Sequence, residues 1–134
     1  MHIICLQGRS SSGKTTTISM LYNQLLKNGF TIVEGGPVRP GANFSAILKR
    51  KGVLLGITSY GDMAEQIRSR LSGFQNANCN LAICACRGTG VTLETVRNFP
   101  GCTHEFMAKT VETNQRNFFT ANTHDAEGLF NMTG

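Results

Sequence analysis

The strongest constraint on this fold is the order of an apolar run, a glycine-rich loop and a helix-forming segment at the start of the chain. The apolar run at residues 2–7 predicts a short buried strand. Residues 8–15 read GRSSSGKT and match the pattern G-x-x-x-x-G-K-[ST] at every specified position. Residues 15–28 then carry isoleucine and leucine at helical spacing, and Gly29 marks the helix stop. The sequence therefore predicts strand, loop and helix in the order that this pattern requires.

The loop pattern has a physical basis in phosphate binding. Gly8 and Gly13 let the backbone turn closely, so that N–H groups can converge on phosphate oxygens. The helix that begins near Lys14 adds free amides and the positive end of its dipole. Lys14 supplies positive charge to β- and γ-phosphates, and the Thr15 hydroxyl is an oxygen ligand of the kind that Mg²⁺ prefers. Consecutive threonines are poor helix formers, which favours a ligand role for Thr15 and Thr16.

The loop and its flanking strand and helix make the chain resemble the P-loop NTPases of the Walker A type. The residues predicted to bind phosphate are Gly8, Arg9, Ser10, Ser11, Ser12, Gly13, Lys14, Thr15 and Thr16. The resemblance implies an α/β sandwich that binds ATP or GTP with Mg²⁺, and its specific motif covers residues 8–15. Arg9 also fits an ordinary side chain that faces solvent.

The rest of the pattern predicts a single α/β domain over residues 1–134, because strands alternate with helices. Further strands are predicted at residues 31–34, 46–50, 53–59, 80–86 and 105–111, and further helices at residues 62–73, 93–98 and 115–130. Lys51-Gly52 joins two of these strands as an antiparallel hairpin. With the resemblance, the expected architecture is a three-layer α/β/α P-loop sandwich. Its sheet is mostly parallel, with one antiparallel strand from the hairpin.

An acidic residue at the C-terminal end of a core strand usually completes the Mg²⁺ site in P-loop proteins. Two residues fit this position. Asp62 follows the strand at residues 53–59 and is one of only two aspartates, whereas Glu34 ends an earlier strand. Asp62 is the preferred candidate for the metal, together with Thr15. Asp62 and Glu65 also fit a helix-capping box, and the two roles of Asp62 are compatible.

Arg87 stands where the strand at residues 80–86 reaches the ligand-binding edge of an α/β sheet. An arginine there can stabilise charge on a transferring phosphoryl group, as an arginine supplied in cis does in related enzymes. The alternative is a surface arginine at a strand end. The predicted catalytic residues are therefore Lys14, Arg87 and Asp62.

The nucleotide and the activity are predicted partly from what the sequence lacks. Residues 107–112 read MAKTVE and lack the [N/T]-K-x-D element with which GTPases read guanine, which favours ATP or a nucleotide site with little base specificity. The small domain and Arg87 favour a Mg²⁺-dependent phosphotransferase that acts on a nucleotide or another small molecule. The lack of room for a lid favours an ATPase or nucleotide-dependent switch that acts through a protein partner. Nucleic acid ranks last as a partner, because the basic cluster at residues 49–51 has no interleaved aromatics.

Charge and hydropathy set the expected environment. The formal net charge of +5 is compatible with phosphorylated ligands. No apolar run approaches the roughly 20 residues that span a bilayer, so no membrane role is expected. No signal-peptide pattern opens the chain, which predicts the cytoplasm. Cys5, Cys84 and Cys86 lie in apolar runs and are expected to be buried thiols.

Overall fold

A computed structural model describes residues 1–134 as a six-stranded mixed sheet with four helices. The strands are β1 (His2–Gln7), β2 (Thr31–Gly35), β3 (Ser45–Arg50), β4 (Val53–Thr58), β5 (Leu81–Cys86) and β6 (Thr103–Ala108). The helices are α1 (Lys14–Lys27), α2 (Ala64–Asn76), α3 (Val91–Arg97) and α4 (Phe118–Met132), with a short 3₁₀ turn, Gln115–Asn117, before α4. These elements confirm the α/β class that the sequence predicts.

The sheet order is β2-β3-β4-β5-β1-β6. β1 pairs in parallel with both β5 and β6, and β4 pairs in parallel with β5. β3 is antiparallel to both of its neighbours, so it is the antiparallel hairpin strand that the sequence predicts. The strands β4, β5, β1 and β6 consequently end at one edge of the sheet. The connections that follow them meet there.

Side chains of β1 alternate between two hydrophobic clusters on opposite faces of the sheet. Ile4 and Leu6 pack with residues of α1 and α4, whereas Ile3 and Cys5 pack with residues of α2 and α3. β1 is therefore covered on both faces, which explains its uninterrupted apolar run. Its packing fixes the point from which the glycine-rich loop departs. Cys5, like the other two cysteines predicted to be buried, is a buried free thiol.

The start of α2 differs from the sequence prediction. The helix begins at Ala64 rather than Asp62, its N-cap is Met63, and no side chain caps it. The predicted capping box of Asp62 and Glu65 is therefore wrong. Asp62 lies outside the helix, in the connection that leaves β4. Its side chain is free to take part in other contacts.

The end of β6 also differs from the prediction. The strand ends at Ala108, although the sequence pattern extends it to residue 111. The Lys109 amide makes a final bond to the Gln7 carbonyl oxygen at 2.7 Å, and the chain then leaves the sheet. The departure of the chain brings residues 109–113 over the glycine-rich loop.

α4 buries a face that only partly matches its hydrophobic pattern. Helical spacing places Phe119, Asn122 and Ala126 near one side of α4, and Asn122 and Ala126 are buried, but Phe119 is 71% exposed. Asp125 is buried in its place. The inward polar residues contact the glycine-rich loop and Lys109, so tertiary contacts override the periodicity of the phenylalanines.

Candidate functional site

The loop between β1 and α1 presents a series of backbone amides without intramolecular partners. Gly8 donates its amide to the Cys86 carbonyl oxygen, and the next amide that donates to the protein is that of Thr17. The amides of residues 9–16 therefore remain available to a ligand. Those of residues 14–16 open α1, where the helix dipole adds positive potential. Such an arrangement suits an anion with several oxygens.

One side-chain and one backbone feature of the loop also point to a ligand. The Ser12 hydroxyl oxygen is buried and has no hydrogen-bond partner within the protein. Ser11 has a φ of 61°, a left-handed conformation that is uncommon for a residue other than glycine. Unpaired buried hydroxyls and left-handed residues both carry a free-energy cost that a bound ligand commonly explains.

The two glycines of the motif are required by close packing. A Cβ atom on Gly8 would lie 2.8 Å from the Cβ of Lys109. Gly13 has a φ of 95°, and a Cβ there would lie 2.6 Å from Oδ1 of Asn122. Lys109 and α4 therefore hold both ends of the loop. Neither contact could be read from the local sequence.

Lys14 is buried beneath the loop and is directed along it. Its Nζ donates to the carbonyl oxygens of Gly8, at 2.7 Å, and Arg9, at 2.8 Å. A lysine ammonium has three donors, so one remains for a ligand. Burial lowers the pKa of Lys14, and the nearby Asp62 carboxylate partly offsets this shift. An anionic ligand would further favour the charged form.

Asp62 brings the three predicted catalytic residues together. Its Oδ1 lies 4.0 Å from Nζ of Lys14 and 3.6 Å from Nε of Arg87. Both distances exceed hydrogen-bond length, so the three charged groups are neighbours without being locked together. Gly61 permits this position, because a Cβ there would lie 2.7 Å from the Cβ of Ala85. The loop from β4 can therefore pass close against β5.

Glu34 is excluded from this cluster by the strand register. The pairing partners across the sheet are, in order, Glu34, Ile47, Gly56, Ala82 and Ile3. Glu34 is thus level with the beginning of β1, whereas the glycine-rich loop follows its end. Four strand spacings also separate β2 from β1, or roughly 19 Å. The structure accordingly leaves Asp62 as the carboxylate beside Lys14.

Asn43 and Ser59 are site residues that the sequence did not single out. Oδ1 of Asn43 accepts hydrogen bonds from the hydroxyls of Thr15 and Ser59, each at 3.1 Å. Ser59 also accepts the Phe44 amide at 2.9 Å. These bonds tie the start of α1 to the ends of two sheet strands. Ser59 directly follows the apolar strand β4, whereas Asn43 lies in the loop two residues before β3 and carried no such signal.

Lys109 and Asp125 form a second unpredicted part of the site. Nζ of Lys109 lies 2.8 Å from Oδ2 of Asp125, and both side chains are almost fully buried. Asp125 also accepts the amide of Thr110 at 2.8 Å and its hydroxyl at 2.6 Å. Burial would raise the pKa of Asp125, but the bonds from Lys109 and Thr110 outweigh it and lower that pKa. Asp125 therefore anchors the segment after β6 to α4.

A cavity of about 430 Å³ adjoins the glycine-rich loop at this anchor. Of the residues predicted to bind phosphate, Arg9, Ser11, Ser12, Gly13 and Thr16 line it. Its other wall includes Glu112, Phe118 and Asn122. Ser10 is exposed and lines neither this cavity nor the one around Lys14. The size of the cavity falls within the range of small-molecule sites, and it opens directly onto the unpartnered amides.

Comparisons of the chain with family models, curated proteins and solved structures found no match. None of the helices is long and apolar enough to cross a membrane. No group of three or more His, Cys, Asp and Glu side chains is arranged to hold a metal ion.

Proposed function

We propose that the protein is a P-loop ATP-binding protein and a small Mg²⁺-dependent phosphotransferase. The observation that carries this proposal is the cluster of Lys14, Asp62 and Arg87 beside a row of unpartnered amides. The amides and Lys14 suit a polyphosphate, whereas the neighbouring carboxylate and guanidinium suit chemistry on its terminal group. A site that only binds an anion would not need the negatively charged Asp62 and the positively charged Arg87 side by side next to Lys14.

The architecture supports this proposal. Helices pack on both faces of the sheet, and the loop follows a strand with parallel neighbours on each side. Ligands of open α/β sheets bind at the carboxyl ends of the strands. We take the arrangement to be the three-layer α/β/α P-loop sandwich, with residues 8–16 as its phosphate-binding loop.

The nucleotide would lie along the loop in one direction. Its terminal phosphate would face the cavity of about 190 Å³ that Lys14, Thr15, Ser59 and Asp62 line. Its nucleoside would occupy the larger cavity after β6, where Phe118 offers an aromatic face. The absence of the guanine-reading element in the sequence of that segment makes ATP the proposed nucleotide.

The residues present fit a magnesium ion with few protein ligands. Mg²⁺ usually keeps several waters and takes one or two protein oxygens together with substrate phosphates. The Thr15 hydroxyl and the Asp62 carboxylate both line the smaller cavity. Each would hold the ion directly or through a water molecule, next to the bound phosphate. When bound, the metal would neutralise charge on the phosphates. Arg87, with Nε 3.6 Å from Oδ1 of Asp62, would stabilise charge on the transferring phosphoryl group.

A second candidate is a nucleotide-dependent switch or ATPase that acts through a protein partner. The observation that favours it is a set of exposed apolar side chains in the segment after β6 and at the start of α4. Val111 is 73% exposed, Phe119 71% and Phe118 44%. Because α4 contacts the loop through Asn122, a ligand at the loop would be coupled to the exposed phenylalanines of this helix. The absence of any acceptor-dependent or intrinsic ATP turnover would favour this alternative.

Equilibrium binding of Mg·ATP to the wild type and to Lys14→Ala tests the proposal. Loss of one charge-assisted contact to phosphate should weaken binding at least about tenfold. Lys27→Ala is the matched control, because Lys27 is exposed at the far end of the same helix. Equal ATP affinity in the wild type and Lys14→Ala would refute the phosphate-loop assignment.

Metal dependence separates the role of Asp62 from that of the loop. Asp62→Asn should weaken binding of Mg·ATP more than binding of ATP in EDTA. Glu34→Gln should leave both unchanged, because Glu34 lies at the other end of the sheet. The opposite pattern would remove Asp62 from the proposed metal site.

A further inference from the structure

A second cavity adjoins the cluster of Lys14, Asp62 and Arg87. Its volume is about 370 Å³, and it lies between the beginnings of α2 and α3. The lining residues include Asp62, Ala64, Arg87, Thr89, Val91 and Thr92. Asp62 also lines the smaller cavity around Lys14 and Thr15. The two cavities therefore meet at the Asp62 side chain.

We propose that this second cavity binds the phosphoryl acceptor and that the acceptor is a small, non-aromatic alcohol, such as a polyol or a sugar. The inference rests on the proposed phosphotransferase function and adds the acceptor class and its site. A phosphoryl group held by Lys14 faces Asp62 and Arg87. A molecule in the second cavity would approach this phosphoryl group past Asp62 and Arg87, which both line that cavity.

The charge of Asp62 selects a hydroxyl as the attacking group. A carboxylate accepts a hydrogen bond from an alcohol, whereas it repels a phosphate or carboxylate placed beside it. Oδ1 of Asp62 is the atom near Lys14 and Arg87, and no protein donor contacts Oδ2. Oδ2 is therefore available to orient an acceptor hydroxyl at the point where the cavities meet.

The other lining residues select against an aromatic acceptor. No aromatic side chain lines the cavity, so it offers no stacking surface for a nucleobase. Its volume is near the lower limit for small-molecule sites. The exposed Thr89 provides a hydroxyl, and the Arg87 guanidinium makes no hydrogen bond within the protein. These groups suit a compact ligand with several oxygen atoms.

Thr92 fixes the position of Arg87 at the cavity wall. Its buried hydroxyl oxygen accepts the Arg87 amide at 2.9 Å. This bond holds the start of the turn after β5 and directs the strand end toward Asp62. The guanidinium can then remain near the junction while its side chain adapts to the ligand.

The reaction balances with ATP as the phosphoryl donor. The acceptor oxygen forms a bond to the γ-phosphorus, and the bond from that phosphorus to the β–γ bridging oxygen breaks. The electron pair leaves with ADP, and the hydroxyl proton, which Oδ2 of Asp62 orients, is released to water. The products are the phosphate ester of the alcohol and ADP.

Bulky substitutions that fill the cavity without entering the phosphate loop provide the test. Ala64→Phe and Thr89→Phe each place a ring at a different wall of the cavity, so that one suffices if the other does not fold. Ser69→Phe is the control, since Ser69 is exposed on α2 and does not line the cavity. ADP formation from Mg·ATP is measured with glycerol, D-ribose or D-glucose, and with adenosine or AMP as aromatic comparators. Binding of Mg·ATP is measured in parallel.

The expected result is ADP formation that at least one of the three alcohols stimulates and the aromatic comparators do not. In a folded cavity variant, the alcohol-stimulated rate of ADP formation should be at least tenfold lower than in the wild type, while the ATP affinity stays within twofold of wild type. Ser69→Phe should behave as wild type. Stimulation by AMP or adenosine alone, no stimulation by any alcohol, or full stimulation in a folded cavity variant would overturn the inference. An ATP affinity that Lys14→Ala leaves unchanged would instead overturn the proposed function.

Discussion

Lys109 and Asp125 form an ion pair whose Nζ and Oδ2 atoms are 2.8 Å apart, with side chains 2% and 1% exposed. The pair lies directly behind the glycine-rich loop, because the Cβ of Lys109 packs against Gly8. Removal of one partner from a buried pair leaves an uncompensated charge. Asp125→Asn should therefore lower the free energy of unfolding by about 3–5 kcal/mol.

The control is the double variant Lys109→Met with Asp125→Asn. It removes both charges but keeps the stem of residue 109 against Gly8 and an oxygen acceptor for Thr110. Urea unfolding of the wild type, both single variants and the double variant gives the coupling between the two residues. Additive losses would mean that the pair is not coupled in the folded protein.

The same pair predicts part of the acid sensitivity of the fold. The pKa of Asp125 is lowered in the folded state, so its contribution to stability is fully present above the unfolded pKa of about 3.9. This contribution is lost as the pH falls through the lower folded pKa. The free energy of unfolding should thus fall more steeply below about pH 4 in the wild type than in Asp125→Asn. Parallel pH profiles of the two proteins would contradict this assignment.

The sequence predicted the elements that local patterns control and missed those that depend on long-range packing. Lys14, Asp62 and Arg87 follow strands or loops with clear signals, and parallel strands place their ends at one edge. Glu34 also stands near the end of a strand, but only the register shows that it is level with the beginning of β1. Asp125 gave no local signal, since a polar residue on a helix is usually exposed.

Gly61 should determine whether Asp62 can reach the cluster. In Gly61→Ala, the new Cβ would lie 2.7 Å from the Cβ of Ala85 and 2.9 Å from its carbonyl carbon, so the loop must move away from β5. We expect a loss of about 1–3 kcal/mol in the free energy of unfolding. The Mg²⁺ dependence of ATP binding should weaken at the same time.

Gly73→Ala is the matched control for this substitution. Gly73 lies in α2, and a Cβ there would meet no atom within 4 Å. Alanine should stabilise the helix by about 0.5–1 kcal/mol and leave ATP binding unchanged. Urea unfolding and metal-dependent binding are measured for both variants. A Gly61→Ala protein with wild-type values in both assays would show that the loop tolerates the side chain.

Phe118 and Phe119 are adjacent but face different surroundings, which allows a test of the proposed nucleoside cavity. Phe118 lines the cavity beside the glycine-rich loop, whereas Phe119 lines a groove with residues of α1. Stacking of a base on an aromatic side chain contributes about 1–3 kcal/mol. Phe118→Ala should therefore weaken ATP binding at least about fivefold, and Phe119→Ala should not.

Inorganic tripolyphosphate separates base contacts from effects on the loop, because it lacks a nucleoside. Its affinity should be the same in the wild type and in Phe118→Ala, as measured by calorimetry. An equal loss of ATP and tripolyphosphate affinity would place the effect of Phe118 on the loop rather than on the base.

Arg87→Lys is the sharpest test of the proposed phosphoryl-transfer chemistry. Arg87 lies at the end of β5 with Nε 3.6 Å from Oδ1 of Asp62, the same oxygen that lies 4.0 Å from Nζ of Lys14. Lysine keeps the positive charge but loses the planar set of donors that suits a phosphoryl group. If Arg87 stabilises charge that develops only in the transition state, turnover should fall about 10²–10³-fold while ATP affinity changes little.

Arg97→Lys is the control, because Arg97 is exposed on α3 and pairs with Glu94. The two measurements are ADP formation with the acceptor panel and the dissociation constant of Mg·ATP. Unchanged turnover in Arg87→Lys would reduce Arg87 to a surface residue, whereas a wild type that binds ATP without turning it over would favour the partner-dependent switch.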